Sequence, residues 1–253
     1  MCTLVVSICA AGPAHGASRP AHLRLRTQHG PVHIWSPANY DRDTAGIVIY
    51  VHGYFTDVDD AWKEHRLARQ FAESGLNALF VACEAPEGPR DEVNWRSLSA
   101  LLDAVAASID DSLPEGRTIV VGHSAAHRTI AMWLDGDPID TIVLVDALYG
   151  EMQELHTWLD ADEEHRLIDV ARLTRRWSDV LHAEIPDTVV FDRFPPAKAG
   201  KLSGARHARV VYVHSQHDHM SLVTGGVALP MLLRAVELPV VMNASRKAPI
   251  RAL

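Results

Sequence analysis

A serine, a histidine and an aspartate together can cut an acyl bond. The hydroxyl attacks, the imidazole carries its proton, and the carboxylate fixes the imidazole. Residues 118–128 read TIVVGHSAAHR and offer the hydroxyl. The β-branched run ending at Gly122 predicts a buried strand, and the small residues Ala125 and Ala126 follow Ser124 where a helix should begin. Such a turn presents Ser124 above a sheet edge and aims the first N–H groups of the helix at whatever it attacks. A serine at a helix start also serves as an ordinary N-cap; the glycine before it and the two alanines after it favour the nucleophile.

A base is sought in the run YVHSQHDHM at 212–220, which follows the last predicted strand. His217 and His219 are its candidates, with His214 still in or near the strand. His123 and His127 flank the serine, the first turned away by the bend and the second in the first helical turn. With fifteen histidines in the chain, position and not residue type must carry the argument. Three carboxylates compete as the acid. Asp146 directly follows the apolar run at 141–145, Asp192 follows a short run at 188–191, and Asp218 adjoins His219. Neighbours on an extended loop point in opposite directions, which disfavours Asp218 as the partner of His219.

The pentapeptide Gly122-His123-Ser124-Ala125-Ala126 resembles the Gly-x-Ser-x-Gly elbow of the α/β-hydrolase superfamily, with Ala126 in place of the last glycine. The family needs a small residue there for close helix–strand packing, which alanine meets. The resemblance implies a mainly parallel sheet with helices on both faces and a serine hydrolase that cleaves an ester or amide of a small molecule through an acyl-enzyme, with no cofactor. It implies His219 as the base, since the family places its histidine between the last strand and the final helix. The family's acid usually follows the seventh strand, which would suit Asp192 if its run is a sheet strand, and in a minority follows the sixth. Asp146, after the stronger strand, is chosen; the order Ser124, Asp146, His219 matches the family order. The loop His52-Gly53-Tyr54-Phe55 resembles the family's His-Gly-x oxyanion loop, so the N–H groups of Tyr54 and Ala125 are the expected oxyanion donors. Two other readings stay open: a metal-dependent hydrolase built on His217 and His219 with Asp146, and a non-catalytic binding protein on the same scaffold.

The elements that must position these groups are legible as hydrophobic periodicity. Residues 21–26 and 32–35 alternate around a His29-Gly30-Pro31 turn and predict a hairpin. The apolar and β-branched runs at 47–51, 78–82, 118–121 and 141–145 predict buried strands, and 209–213, opened by Arg209, predicts the last strand. Between them, helical patterns run over 59–74, with Gly75 as the stop, 98–109 and 125–134, and the last helix over 221–236 is interrupted at Gly225-Gly226 and Pro230. The alternation predicts a parallel sheet covered on both sides. Residues 151–207 disturb it: Leu167, Val170, Leu173 and Trp177 are spaced as in a helix. In the resembling family an insertion after the sixth strand commonly forms a lid, so this segment is expected to be a helical lid. Trp158 and Trp177 then line a pocket or, more simply, anchor the lid. Its polarity argues against a long-chain lipid substrate. Trp95 is either a pocket or a core residue.

A chain of 253 residues, 47% hydrophobic and 22% charged, is long enough for one α/β domain over residues 21–253. A net charge of −8 with no basic run argues against nucleic acid, and no apolar run is long enough to cross a bilayer. Cys2, Cys9 and Cys83 have no metal-ligand or disulfide-framework spacing. Residues 1–20 form either an N-terminal tail or an export signal: Leu4 to Ala11 are apolar and small residues follow, but no basic residue precedes them.

Overall fold

The computed structural model describes residues 19–109 and 112–241. The reading of residues 1–20 as tail or signal, with Cys2 and Cys9, lies outside the described residues save for its last two positions.

The apolar runs form strands where their composition demands it. They are β1 (Ala21–Thr27), β2 (Gly30–Ser36), β3 (Gly46–Val51), β4 (Ala78–Cys83), β5 (Thr118–His123), β6 (Thr141–Val145), β7 (Arg166–Ala171), β8 (Val189–Phe191) and β9 (Val210–His214). They make one sheet in the order β1-β2-β4-β3-β5-β6-β7-β9-β8. The β1–β2 and β2–β4 pairings are antiparallel, and all others are parallel. Parallel strands run the same way, so β3, β5, β6, β7 and β9 bring their carboxyl ends to one edge.

Period-two alternation divides the core into two layers. Val48, Tyr50, Val121, Val143, Val145, Ile168 and Val213 face the helices α1 (Val58–Glu64), α2 (Leu67–Ser74), α7 (Ser221–Thr224) and α8 (Ala228–Leu233). Ile47, Ile49, Val51, Val120, Ile142, Leu144 and Leu167 face α3 (Leu98–Ala106), α4 (His127–Trp133), α5 (Met152–Ala161) and α6 (Arg175–Glu184). Cys83 and Trp95 are buried in the second layer.

Two expectations need correction. The single helix over 59–74 is two, α1 and α2, parted at Arg66, whose φ of 51° is left-handed. The Arg66 guanidinium reaches the Thr224 carbonyl across the layer, a tie that no local signal announces. The helical lid at 151–207 is absent as such: α5, β7, α6 and β8 continue the α/β alternation, and β7 is hydrogen-bonded between β6 and β9. The helix-like spacing of Leu167 and Val170 belongs to a strand whose successive residues serve opposite core layers. Trp158 is buried in the body, and Trp177 is half-buried beside Tyr149.

Candidate active site

Ser124 stands at the end of β5 with φ of 55°, a left-handed conformation that a non-glycine residue adopts at a cost of about 1–3 kcal/mol. A 3-10 turn over Ser124–Ala126 leads into α4. Gly122 makes the turn feasible: a Cβ there would fall 2.4 Å from Ile130 Cδ1 and 3.0 Å from Ala126 Cβ. The helix therefore presses directly on the strand, and Ala126 fills the place of the expected small residue.

Asp146 follows β6 at the same edge, also with positive φ (51°) and with no solvent exposure. Its Oδ1 accepts the N–H groups of Arg172 (2.8 Å), Leu173 (2.8 Å) and Thr174 (3.0 Å) and the Thr174 hydroxyl (3.0 Å). All of these come from the loop after β7. Its Oδ2 accepts from His219 Nδ1 at 2.7 Å. Burial by itself would raise the Asp146 carboxyl, but the hydrogen bonds from His219, Thr174 and Arg172 outweigh it and hold it at about 2. A carboxylate only accepts, so the geometry assigns the hydrogen to His219 Nδ1 and leaves Nε2 free to take a proton.

His219 precedes α7 on the loop after β9 and lies against the elbow through His123. The two rings are 4.6 Å apart, and His123 Nε2 lies 3.3 Å from the His219 carbonyl. His123 is buried and held neutral: burial first, then the charges of His219 and His65, push it down to about 3. The described hydrogen bonds do not include a direct Ser124–His219 bond. In unliganded enzymes such bonds are commonly long and tighten with substrate. The Tyr149 hydroxyl instead faces the Ser124 side chain, and its ring packs on His127 and Trp177. Burial, then the Asp146 charge, raises the Tyr149 phenol.

On the other side of Ser124 runs the loop after β3. A Cβ on Gly53 would lie 2.5 Å from Ser124 Cβ and 3.1 Å from its Oγ, so only glycine lets this loop approach. Among the described residues, neither the Tyr54 nor the Ala125 N–H is matched to a protein acceptor. The Tyr54 hydroxyl accepts from Arg128 (2.7 Å), and the Phe55 N–H donates to the Glu87 carbonyl (2.7 Å).

The structure thus gathers Ser124, His219, Asp146, Tyr54 and Ala125 at the carboxyl edge of the sheet. It places the rivals elsewhere. Asp192 is exposed after the edge strand β8, and Asp218 is exposed and bonds Ser221 at the start of α7. The His217 ring packs on Phe194. Among the described residues, no group of three or more His, Cys, Asp or Glu side chains is placed to hold a metal ion. Tyr149 and the Thr174 loop were missed by sequence reasoning, and His123, set aside there as turned away from the serine, packs on His219. Their contacts cross strands, and only the position of Tyr149 three residues beyond Asp146 offered a local hint.

No protein-family model matches the sequence. No curated protein matches it. Solved structures do. A feruloyl esterase module from Clostridium thermocellum, complexed with sinapinate, is 12% identical, with 87% of this chain and 89% of that one covered at a TM-score of 0.51. FphF, a fluorophosphonate-binding serine hydrolase of Staphylococcus aureus, is 11% identical over 87% of this chain and 99% of its own, at 0.55. A hyperthermophilic esterase from the archaeon Pyrobaculum calidifontis is 15% identical over 87% and 85%, at 0.50. Identity this low speaks of architecture alone, and with the strand order and layers above it shows that this chain has the α/β-hydrolase fold.

Proposed function

We propose that the protein is a serine hydrolase that cleaves a carboxylic ester through an acyl-enzyme, with Ser124 as nucleophile, His219 as base and Asp146 as the residue that orients it. One observation carries the reading: a strained serine at a strand–helix turn shares its sheet edge with a His219–Asp146 pair joined through Nδ1 at 2.7 Å, which leaves the other ring nitrogen clear of the carboxylate. His219 Nε2 takes the Ser124 proton as the oxygen attacks the carbonyl carbon. The Tyr54 and Ala125 N–H groups hold the oxyanion, each such donor contributing about 3 kcal/mol to the transition state. His219 returns the proton to the leaving alcohol, and water repeats the cycle on the acyl-enzyme. Asp146 stabilises the transient imidazolium and keeps its own charge.

The loops after β3, β7 and β9, which carry Tyr54, the Asp146 cradle and His219, also expose Phe55 (89%), Leu173 (59%) and Met220 (45%). An apolar rim of this kind supports an uncharged ester with apolar groups. The polarity of residues 151–207 does not argue against acyl length, because that segment builds the body of the fold. The likeness to a feruloyl esterase module and to an archaeal esterase supports ester over amide. A panel of p-nitrophenyl esters from acetate to octanoate, beside matched anilides, tests the reading. Ester turnover that disappears in Ser124→Ala with the melting temperature kept is expected. Equal turnover in the two proteins contradicts it.

A further inference from the structure

Beneath the Gly53–Tyr54 turn lies a buried pair that the chemistry of Ser124 does not use. His52 directly follows β3 and Glu84 directly follows β4; the two strands are parallel neighbours with Val51 beside Cys83. His52 Nε2 is 2.7 Å from Glu84 Oε1, and the two side chains are 0% and 8% exposed. His52 Nδ1 lies 2.7 Å from the Gly53 carbonyl oxygen. That oxygen can only accept, so Nδ1 must carry a hydrogen. On the other side of the ring Nε2 faces Glu84 Oε1 and accepts from the Ala85 N–H at 3.0 Å, which also reaches that carboxylate oxygen at 3.3 Å. The same carboxylate accepts the Val58 N–H at 3.3 and 3.4 Å, at the first residue of α1. One buried carboxylate therefore ties down both ends of the 52–58 loop. The fit beneath it is close: a Cβ on Gly30 would fall 2.6 Å from Glu84 Cβ and Cγ.

The consequence lies in the peptide plane. The Gly53 carbonyl and the Tyr54 N–H belong to one planar trans unit and point in opposite directions. Holding the carbonyl at His52 Nδ1 therefore fixes the Tyr54 N–H pointing away from that ring, in a loop whose Gly53 lies against Ser124. We propose that Glu84, acting through His52, is a positioning residue that clamps this peptide so that the Tyr54 N–H meets the oxyanion. The assignment rests on the serine-hydrolase reading of the site. A pair retained only for stability has no such need, since buried ion pairs are often replaced by apolar isosteres at little cost.

The test uses p-nitrophenyl acetate turnover, inhibition by phenylboronic acid, which forms a tetrahedral adduct on an active serine, and melting temperature. It is made on wild type, Glu84→Ala, Glu84→Gln and the double variant His52→Phe/Glu84→Leu. In Glu84→Ala, kcat should fall about 10- to 100-fold with KM little changed, as expected for a displaced transition-state donor. The boronic acid Ki should rise by a similar factor. Glu84→Gln should recover most of both, because its amide can donate to His52 Nε2 and still accept from Val58. The double variant keeps an apolar packing there and guards against a Glu84→Ala chain that does not fold; it should melt near wild type yet show the same kinetic loss. A folded double variant with unchanged kcat and Ki overturns the positioning role. So does a Glu84→Gln no better than Glu84→Ala. A wild type that hydrolyses no ester and binds no boronic acid overturns the underlying reading, and this one with it.

Discussion

Replacing Asp146 by Asn isolates the orienting carboxylate with minimal change of shape. The Asn Oδ1 can keep the cradle of Arg172, Leu173 and Thr174 N–H groups, which lies 2.8–3.0 Å from the carboxylate oxygen it replaces. Its amide nitrogen then faces His219 Nδ1 and can only donate. The ring hydrogen moves to Nε2, and the imidazole can no longer accept the Ser124 proton. A wrong tautomer of this kind lowers kcat about 10⁴-fold, or about 5 kcal/mol at 1.36 kcal/mol per tenfold. Stability should fall as well. The carboxyl is held at about 2 against an ordinary 3.8, and at 1.36 kcal/mol per unit that is worth roughly 2 kcal/mol. A depressed carboxylate contributes this above its unfolded pKa and loses it as pH falls toward 2, so at pH 7 the Asn variant lacks it and should melt roughly 5 °C lower. The assay is kcat on p-nitrophenyl acetate at pH 7.5, with fluorophosphonate titration of folded protein and a melting curve. Asp192→Asn and Asp218→Asn, both exposed, should stay within about twofold of wild type. An Asp146→Asn enzyme keeping a tenth of its activity, or either control losing more than it does, refutes the orienting role.

Two further outcomes follow from local geometry. Gly53→Ala should abolish ester turnover while the protein still melts cooperatively, because its Cβ would press on Ser124 Cβ at 2.5 Å and the His123 carbonyl at 3.0 Å; activity above a tenth of wild type would show that the loop does not lie against the serine. The melting temperature should fall as pH drops from 7 to 5, measured by scanning fluorimetry. His65 is pushed down to about 4 by burial and then by His52, and His123 to about 3 by burial and then by His219 and His65, so the unfolded chain binds protons near pH 6.5 that the folded one refuses. A melting temperature flat across that range would contradict two neutral buried imidazoles.

Much of the fold was legible because β3, β4, β5 and β6 are buried on both faces and carry uninterrupted apolar runs. The strand β7, RLIDVA, hid for the opposite reason. Arg166 and Asp169 break its apolar run, yet both are buried and each finds a partner far along the chain. Arg166 donates to the Ala205 and Ala208 carbonyls, and Asp169 accepts from His182 Nε2 at 3.1 Å. Losing β7 turned two α/β units into an apparent lid. The residues of the candidate site were easier to place, because each follows a strand that its own run announces. Asp146 and His219 could each be named from the run before them, although 73 residues part them and the placing of β7 between β6 and β9 brings them together. What supports them was not legible. The Thr174 cradle, the His123 ring against His219 and the Glu84 tether all cross from one strand end to another. Glu84 left one trace, a charge immediately after a fully buried strand at the edge that bears the elbow.

The account stands on a reactive hydroxyl at one position. Treatment of the folded protein with an alkyl fluorophosphonate, followed by intact mass and peptide mapping, measures it directly. One adduct per chain on Ser124, absent from Ser124→Ala and strongly slowed in Asp146→Asn, is the expected result. No adduct, or an adduct on another residue that persists in Ser124→Ala, would contradict the account.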